Sequence, residues 1–335
     1  MYRLTQGLAT IFCLSVLQGC GGGGGGGGKA PESQQPPPSN TRPPLKVSAA
    51  DYQLALRTSI GTTMNAFNYV KLGGDLADLM LDLPVPRDVV LLPCPDGGTT
   101  LLTIGDRNSD GLFNAGDYVN QAYEDCDNDG STLDGIIRIE IDSVTPKDGG
   151  REIQLLATVV NLTLKLADSA IPPISVNFVG PVSYTRTPSY QEFRLAGASF
   201  SSSQVAGATD VTALGVIYLQ DHAADTYRLT FGGSLDSAMF SGPFEFATFA
   251  PFTGTIGQYP DAGRLDVIGG SGSSARLSEE GAAASNPATV LVAVDSNGDG
   301  TADAAVIDFP WSDVMPRELF DAFRNPVVVA TPLMP

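Results

Sequence analysis

From Leu56 onward the chain places Ile60, Met64, Phe67 and Val70 three or four residues apart, the spacing that lines one face of a helix. This predicts a helical segment within 47–83, weakened by Gly61 and by three threonines in the same stretch. Gly73-Gly74 is expected to end the helix, Asp75 to cap a short second turn, LADLML, and Pro84 and Pro86 to stop it. Beyond that point the period changes from helical to alternating. Ile137, Ile139 and Ile141 alternate with polar residues, as do Ile174, Val176 and Phe178, then Tyr227, Leu229 and Phe231, and later Leu265 and Val267. Turns such as DGG, GGS, PDAG and NGDG separate these runs, and no helical pattern lies between them. The expected fold is therefore mainly β: an antiparallel sandwich or barrel of about a dozen strands. PRELFDAF, opened by Pro316, predicts a short C-terminal helix.

A different pattern precedes the folded part. Arg3 is followed by an apolar run from Leu8 to Leu17 and by small residues ending at Cys20, the profile of a secretory signal too short to span a bilayer. Leu17-Gln18-Gly19-Cys20 resembles the lipobox of bacterial lipoproteins. The resemblance implies removal of residues 1–19 as a signal peptide and attachment of lipid at Cys20. Gly21 in place of Asp implies sorting to the outer membrane, on a face the sequence does not specify. Two or more acyl chains on one residue would make a permanent anchor. Eight glycines and a proline-rich segment then fill 20–46. Such a tether has an r.m.s. reach of about 30 Å and at most about 90 Å when drawn out. A single β-rich domain, 47–335, is expected to follow it.

Composition narrows the partners. The formal net charge of the 335-residue chain is −18, and loss of the signal, which carries only Arg3, makes it more negative by one. Such a surface repels nucleic acid and anionic headgroups, so the membrane is expected as a partner only through the lipid anchor. It suits cations. Of the four cysteines, Cys13 leaves with the signal and Cys20 is acylated. Cys94 and Cys126 remain, and in an oxidising compartment they are expected to form a disulfide, the alternative being two buried thiols.

Two acidic loops carry the candidate chemistry. A Ca²⁺ ion takes six to eight oxygens, and a twelve-residue loop supplies them from positions 1, 3, 5, 7, 9 and 12, with glycine at 6. Starting at Asp106, those slots hold Asp106, Asn108, Asp110, the Leu112 carbonyl, Asn114 and Asp117, with Gly111 at the turn. The loop resembles that of dockerin modules, which also end in Asp. Dockerins place their loop before a helix and repeat it, whereas here TTLLTI precedes and YVNQAY follows, so cohesin binding does not carry over. A second loop offers Asp295, Asn297, Asp299, the Thr301 carbonyl and Asp303, with Val306 at position 12 and Asp308 beyond. It resembles the DxNGDGxxD loops of thrombospondin type 3 and β-propeller repeats. Both loops can also be read as Asp/Asn/Gly turns whose side chains cap backbone amides without metal. Without the bidentate glutamate, Ca²⁺ affinity should be weak, on the order of 10⁻⁵–10⁻³ M. The acidic run from Asp125 to Asp134 puts Leu133 at position 9 and Cys126 inside the loop, and is expected to be a solvated turn.

No catalytic constellation emerges. There is one histidine, His222, and its neighbours AADTY suggest a surface loop, which nearly excludes a multi-histidine zinc site or a Ser-His-Asp triad. GSGSSA, from Gly270, is half a dinucleotide fingerprint without its helix and is expected to be a hairpin turn. The chain as a whole resembles uncharacterised β-rich lipoproteins of Gram-negative bacteria, through CPDGG, the loop ending in GDYV, Cys126, DSNGDGTAD and Pro310-Trp311. That resemblance implies paired cysteines and strands, and no activity. The expectation is a lipid-anchored envelope protein with a calcium-stabilised β domain acting as a binding or structural module. Its ligand, whether envelope protein, glycan or lipid, is not specified. The alternatives are an envelope glycan hydrolase working through two carboxylates, and a carrier of lipid in an apolar cavity between sheet and helix.

Overall fold

A computed structural model describes residues 42–81, 89–94, 96–128, 131–166, 174–204, 207–278, 289–303 and 307–311. Cys20, most of the tether, PRELFDAF and Val306 lie outside them. The chain runs through helix α1 (Tyr52–Met80), then β1 (Val90–Pro93), β2 (Gly97–Gly105), β3 (Tyr118–Asn128), β4 (Ser131–Lys147), β5 (Gly150–Leu166), β6 (Ile174–Arg186) and β7 (Tyr190–Gln204). It continues as β8 (Gly207–Asp221), β9 (Thr226–Ser237), β10 (Phe244–Thr255), β11 (Ala262–Ile268), β12 (Ser274–Ser278), β13 (Thr289–Asp295) and β14 (Ile307–Pro310). These 14 strands form one sheet in sequence order, every neighbour antiparallel. The mainly β, antiparallel expectation is met. A two-sheet sandwich is not formed: the second layer is α1, which contacts β4 to β9 and also β11 and β12.

Alternation places the core. Ile137, Ile139, Ile141, Val176, Phe178, Tyr227, Leu229, Phe231, Leu265 and Val267 are all buried. They face α1, whose Leu56, Ile60, Met64, Phe67 and Ala77 are buried in turn. Phe67 meets Phe193 edge-on at 5.5 Å and Tyr218 at 5.2 Å. Long strands reach around a helix only if they bend, and each pairing from β4–β5 to β9–β10 carries a register shift of the kind that bends a strand. Trp311 is fully buried, edge-on to Phe252 at 5.8 Å and stacked on Tyr259 at 6.0 Å.

The helix differs from expectation in its middle. It does not stop at Gly73-Gly74 but runs unbroken to Met80. Gly74 is a point of close approach: a Cβ on it would lie 3.0 Å from Tyr184 Cγ and 3.1 Å from Phe193 Cε1. Asp75 is correspondingly no cap. Its Oδ2 accepts from Lys71 Nζ at 2.6 Å, one turn earlier, and its Oδ1 accepts from Tyr184 Oη and Gln191 Nε2. No described helix is long and apolar enough to cross a membrane.

The packed chain also begins earlier than Val47. Leu45 N–H donates to Pro243 O, Gly270 N–H to Leu45 O, and Val47 N–H to Ser273 Oγ. Arg42 is ion-paired with Asp236. Leu45 and Val47 are both in the core.

Candidate functional site

In a meander the hairpin connections alternate between the two ends of the sheet. The loop between β2 and β3, Asp106 to Asp117, therefore lies at the opposite end from the loop between β13 and β14, Asp295 to Asp303. The packed segment 42–47 touches the second end, where it meets the turn at Gly269–Ser273.

All the predicted oxygens of the first loop come together in one hydrogen-bonded knot. Asp106 Oδ2 accepts Gly111 N–H at 2.8 Å, Asn108 Oδ1 accepts Asp110 N–H at 3.1 Å, and Asp110 Oδ1 accepts Leu112 N–H at 2.8 Å. Asp117 is fully buried and closes the ring, its Oδ1 accepting Arg107 N–H and its Oδ2 Asn114 N–H. Backbone bonds between Gly116 N–H and Ile141 O, and between Ile141 N–H and Asp117 O, fasten the loop to β4. Phe113, which sequence reasoning missed, is buried in the core and anchors the loop from within. Its signal was a lone aromatic in an otherwise polar segment.

The centre of the knot is occupied by amide nitrogens. Asn108 Nδ2 donates to Asp110 Oδ2 and Asn114 Oδ1, and Asn114 Nδ2 donates to Asp110 Oδ2 at 2.7 Å and to the Leu112 carbonyl. As these side chains stand, no group of three or more His, Cys, Asp or Glu among the described residues is placed to hold a metal ion. One oxygen is nevertheless left over. Asp106 Oδ1 is buried without a hydrogen-bond partner, one of four such side-chain atoms among the described residues. The Leu112 N–H holds the Asp110 carboxyl below the usual carboxylate range, with the two asparagine amides adding to it.

The second loop repeats the scaffold. Gly300 N–H donates to Asp295 Oδ2, Asp299 N–H to Asn297 Oδ1 and Thr301 N–H to Asp299 Oδ1, the same bonds at the same loop positions. Backbone φ is positive at the fourth and sixth positions of both loops, at Ser109 and Gly111 and at Gly298 and Gly300. The difference is in the carboxylates. Asp295 Oδ1 accepts Gly298 N–H at 2.7 Å, so both its oxygens are used. Asp303 accepts from Ser296 N–H, Ser296 Oγ and Asn297 Nδ2, and the Ser296 bonds hold its carboxyl below the ordinary range. Asp308 pairs with Leu291 within β14.

Cys94 and Cys126 form the expected disulfide, bridging the residue after β1 to β3. No protein-family model matches the chain, and comparison with curated proteins and with solved structures finds no significant match. The Asp125–Asp134 segment is the β3–β4 hairpin, where Asp134 Oδ1 accepts Asp125 N–H at 2.8 Å and Asp127 accepts from the Thr132 hydroxyl. GSGSSA is the β11–β12 turn and His222 sits exposed in the β8–β9 turn, both as expected. A close carboxylate pair that sequence reasoning missed is Asp210 and Asp236, directly opposite across β8–β9. Burial, with Asp236 beside it, raises the Asp210 carboxyl, while Asp236 is held by Arg42.

Proposed function

We propose that this chain is a lipid-anchored envelope protein, attached through Cys20, whose acidic β domain is stabilised by Ca²⁺ at the loop Asp106–Asp117 and serves as a binding or structural module. The observation that carries the metal reading is Asp106 Oδ1, a carboxylate oxygen removed from water and given no donor, where an uncompensated charge is costly. A cation would supply the missing partner. Asn108 and Asn114 would turn their amide oxygens inward, and Asp110, the Leu112 carbonyl and Asp117 would complete an all-oxygen set suited to a hard ion. In the second loop the backbone and Ser296 already satisfy Asp295 and Asp303. Ca²⁺ there competes with bonds already made and binds more weakly.

Two further observations support the module reading. Segment 42–47 joins the domain at the end opposite the first loop, so a tether arriving there would present that loop away from the anchoring membrane. The concave face that a lipid carrier would need as a cavity is filled by α1, with Leu56, Ile60 and Met64 fully buried against the sheet. Calorimetric titration of Ca²⁺ into chelator-treated protein tests the reading. One binding event of roughly 10⁻⁵–10⁻³ M is expected in the wild type and none of that strength in Asp106→Asn. Binding that survives Asp106→Asn unchanged contradicts it. Mass spectrometry of the mature N-terminus is expected to find a lipid-modified Cys20.

A further inference from the structure

Three consecutive carbonyls of the segment that precedes α1 lie over glycines. A Cβ on Gly242 would fall 1.8 Å from Pro43 O, one on Gly270 3.0 Å from Pro44 O, and one on Gly269 2.1 Å from Leu45 O. None of these glycines has the positive φ that disfavours a side chain, so the two turns they belong to do not themselves demand glycine. The approach of the strap, Arg42 to Val47, does. The seat also supplies partners. Leu45 N–H donates to Pro243 O and Gly270 N–H to Leu45 O, while the buried Ser273 hydroxyl accepts Val47 N–H and donates to Gly270 O. Arg42 closes the far end, its Nη1 donating to Phe240 O and Asp236 serving as its counter-ion. Leu45 and Val47 are buried, whereas Pro43, Pro44 and Lys46 are exposed.

The strap is held by far fewer bonds than the elements behind it. Leu45 and Val47 carry its main-chain bonds, whereas α1 is wrapped by β4 to β9, β11 and β12, and β2 to β13 are paired along both edges. Local opening begins where the fewest bonds and the least buried surface are given up. A pull from the N-terminal side reaches Arg42 first and peels the strap contact by contact before it loads the helix. We propose that Arg42–Val47 is a releasable latch. Docked, it holds the chain against the end of the sheet. Under tension it leaves its glycine seat, and residues 42–51, which precede α1, add up to about 30 Å of extended leash while the sheet stays folded. The inference rests on the anchor at Cys20 only for the source of the pull; the latch itself belongs to the folded domain.

Trypsin reads the latch in the full chain, because the bond after Lys46 lies inside the strap and is cut when the strap is released. Gly242→Ala and Gly269→Ala suit the turns but not the docked strap. Each should speed appearance of the fragment beginning at Val47 by about tenfold or more, while the β domain stays resistant. Pro44→Cys with Gly270→Cys would bring two Cβ atoms about 3.2 Å apart, and the resulting disulfide should suppress the cut. Single molecules pulled from their two termini should extend by about 30 Å ahead of sheet unfolding in the wild type, and not in the locked variant. The proposal is overturned if both alanine variants are cut as slowly as the wild type, if locked and wild-type chains extend alike, or if the strap is released only together with the sheet. An unmodified Cys20 would remove the anchor and leave each of these expected results in place.

Discussion

Lys71 shows how a single residue escapes sequence reasoning. Nothing in its neighbours announces burial, yet its side chain is only 5% exposed, ion-paired to Asp75 and 6.0 Å from the centre of the Phe193 ring. Burial and the nearby carboxylates of Asp75 and Asp78 push the Tyr184 phenol up, so it stays a neutral donor to Asp75. Removing one partner of such a pair strands the other charge. Lys71→Ala should cost about 3–5 kcal/mol in urea unfolding, whereas the double change Lys71→Met with Asp75→Leu should recover most of it. Gly298 makes the opposite case, since Asn-Gly-Asp-Gly already signals a turn. What the sequence hides there is the contact, for a Cβ would lie 2.2 Å from Ser271 O at a φ of +80°. Gly298→Ala should destabilise by about 1–3 kcal/mol in the same assay. The clustering of Asp106, Asn108, Asp110, Asn114 and Asp117 in one hydrogen-bonded loop was legible because their spacing is local. The orphan state of Asp106 Oδ1 was not, because burial of a single oxygen is set by the folded loop and not by residue spacing.

Elements were readable where one period governed them. Strict alternation marked β4, β6, β9 and β11, and Ile137, Ile139 and Ile141, Val176 and Phe178, Tyr227, Leu229 and Phe231, and Leu265 and Val267 all turn inward. Gly73-Gly74 misled because the same residue type serves both a helix stop and a close approach, and only tertiary contact with Tyr184 and Phe193 decides between them. The choice between sandwich and barrel was likewise undecidable from pattern, since the bulges that bend the strands around α1 leave little trace in the sequence. The Cys94–Cys126 bridge ties the residue after β1 to the far end of β3 across a separation of 32 residues, at the end of the sheet opposite the first loop. By chain entropy its reduction should cost about 3–4 kcal/mol, read as a lower urea midpoint in reducing agent. An unchanged midpoint would mean that strand pairing alone closes this region.

For the whole molecule, charge sets the acid limit. The Arg107 hydrogen bond lowers the Glu140 carboxyl, and the Lys147 hydrogen bond lowers that of Glu152. A carboxylate whose folded value lies below its unfolded value of about 4.3 contributes its full stability above that pH and loses it as pH falls through the lowered value. The melting temperature should therefore hold from about pH 7 to 5 and fall below about pH 4. Above that limit the molecule's stability should answer to divalent cation, and this separates a calcium-stabilised module from an acidic domain whose loops cap only themselves. The most direct measurement is the melting temperature in chelator and in excess Ca²⁺, for wild type and for Asp106→Asn. At ten times the dissociation constant the linkage is about 1.4 kcal/mol, a rise of about 2–3 °C for a domain of this size. That rise in the wild type and its loss in Asp106→Asn is the predicted result; identical melting of the wild type with and without Ca²⁺ would contradict it.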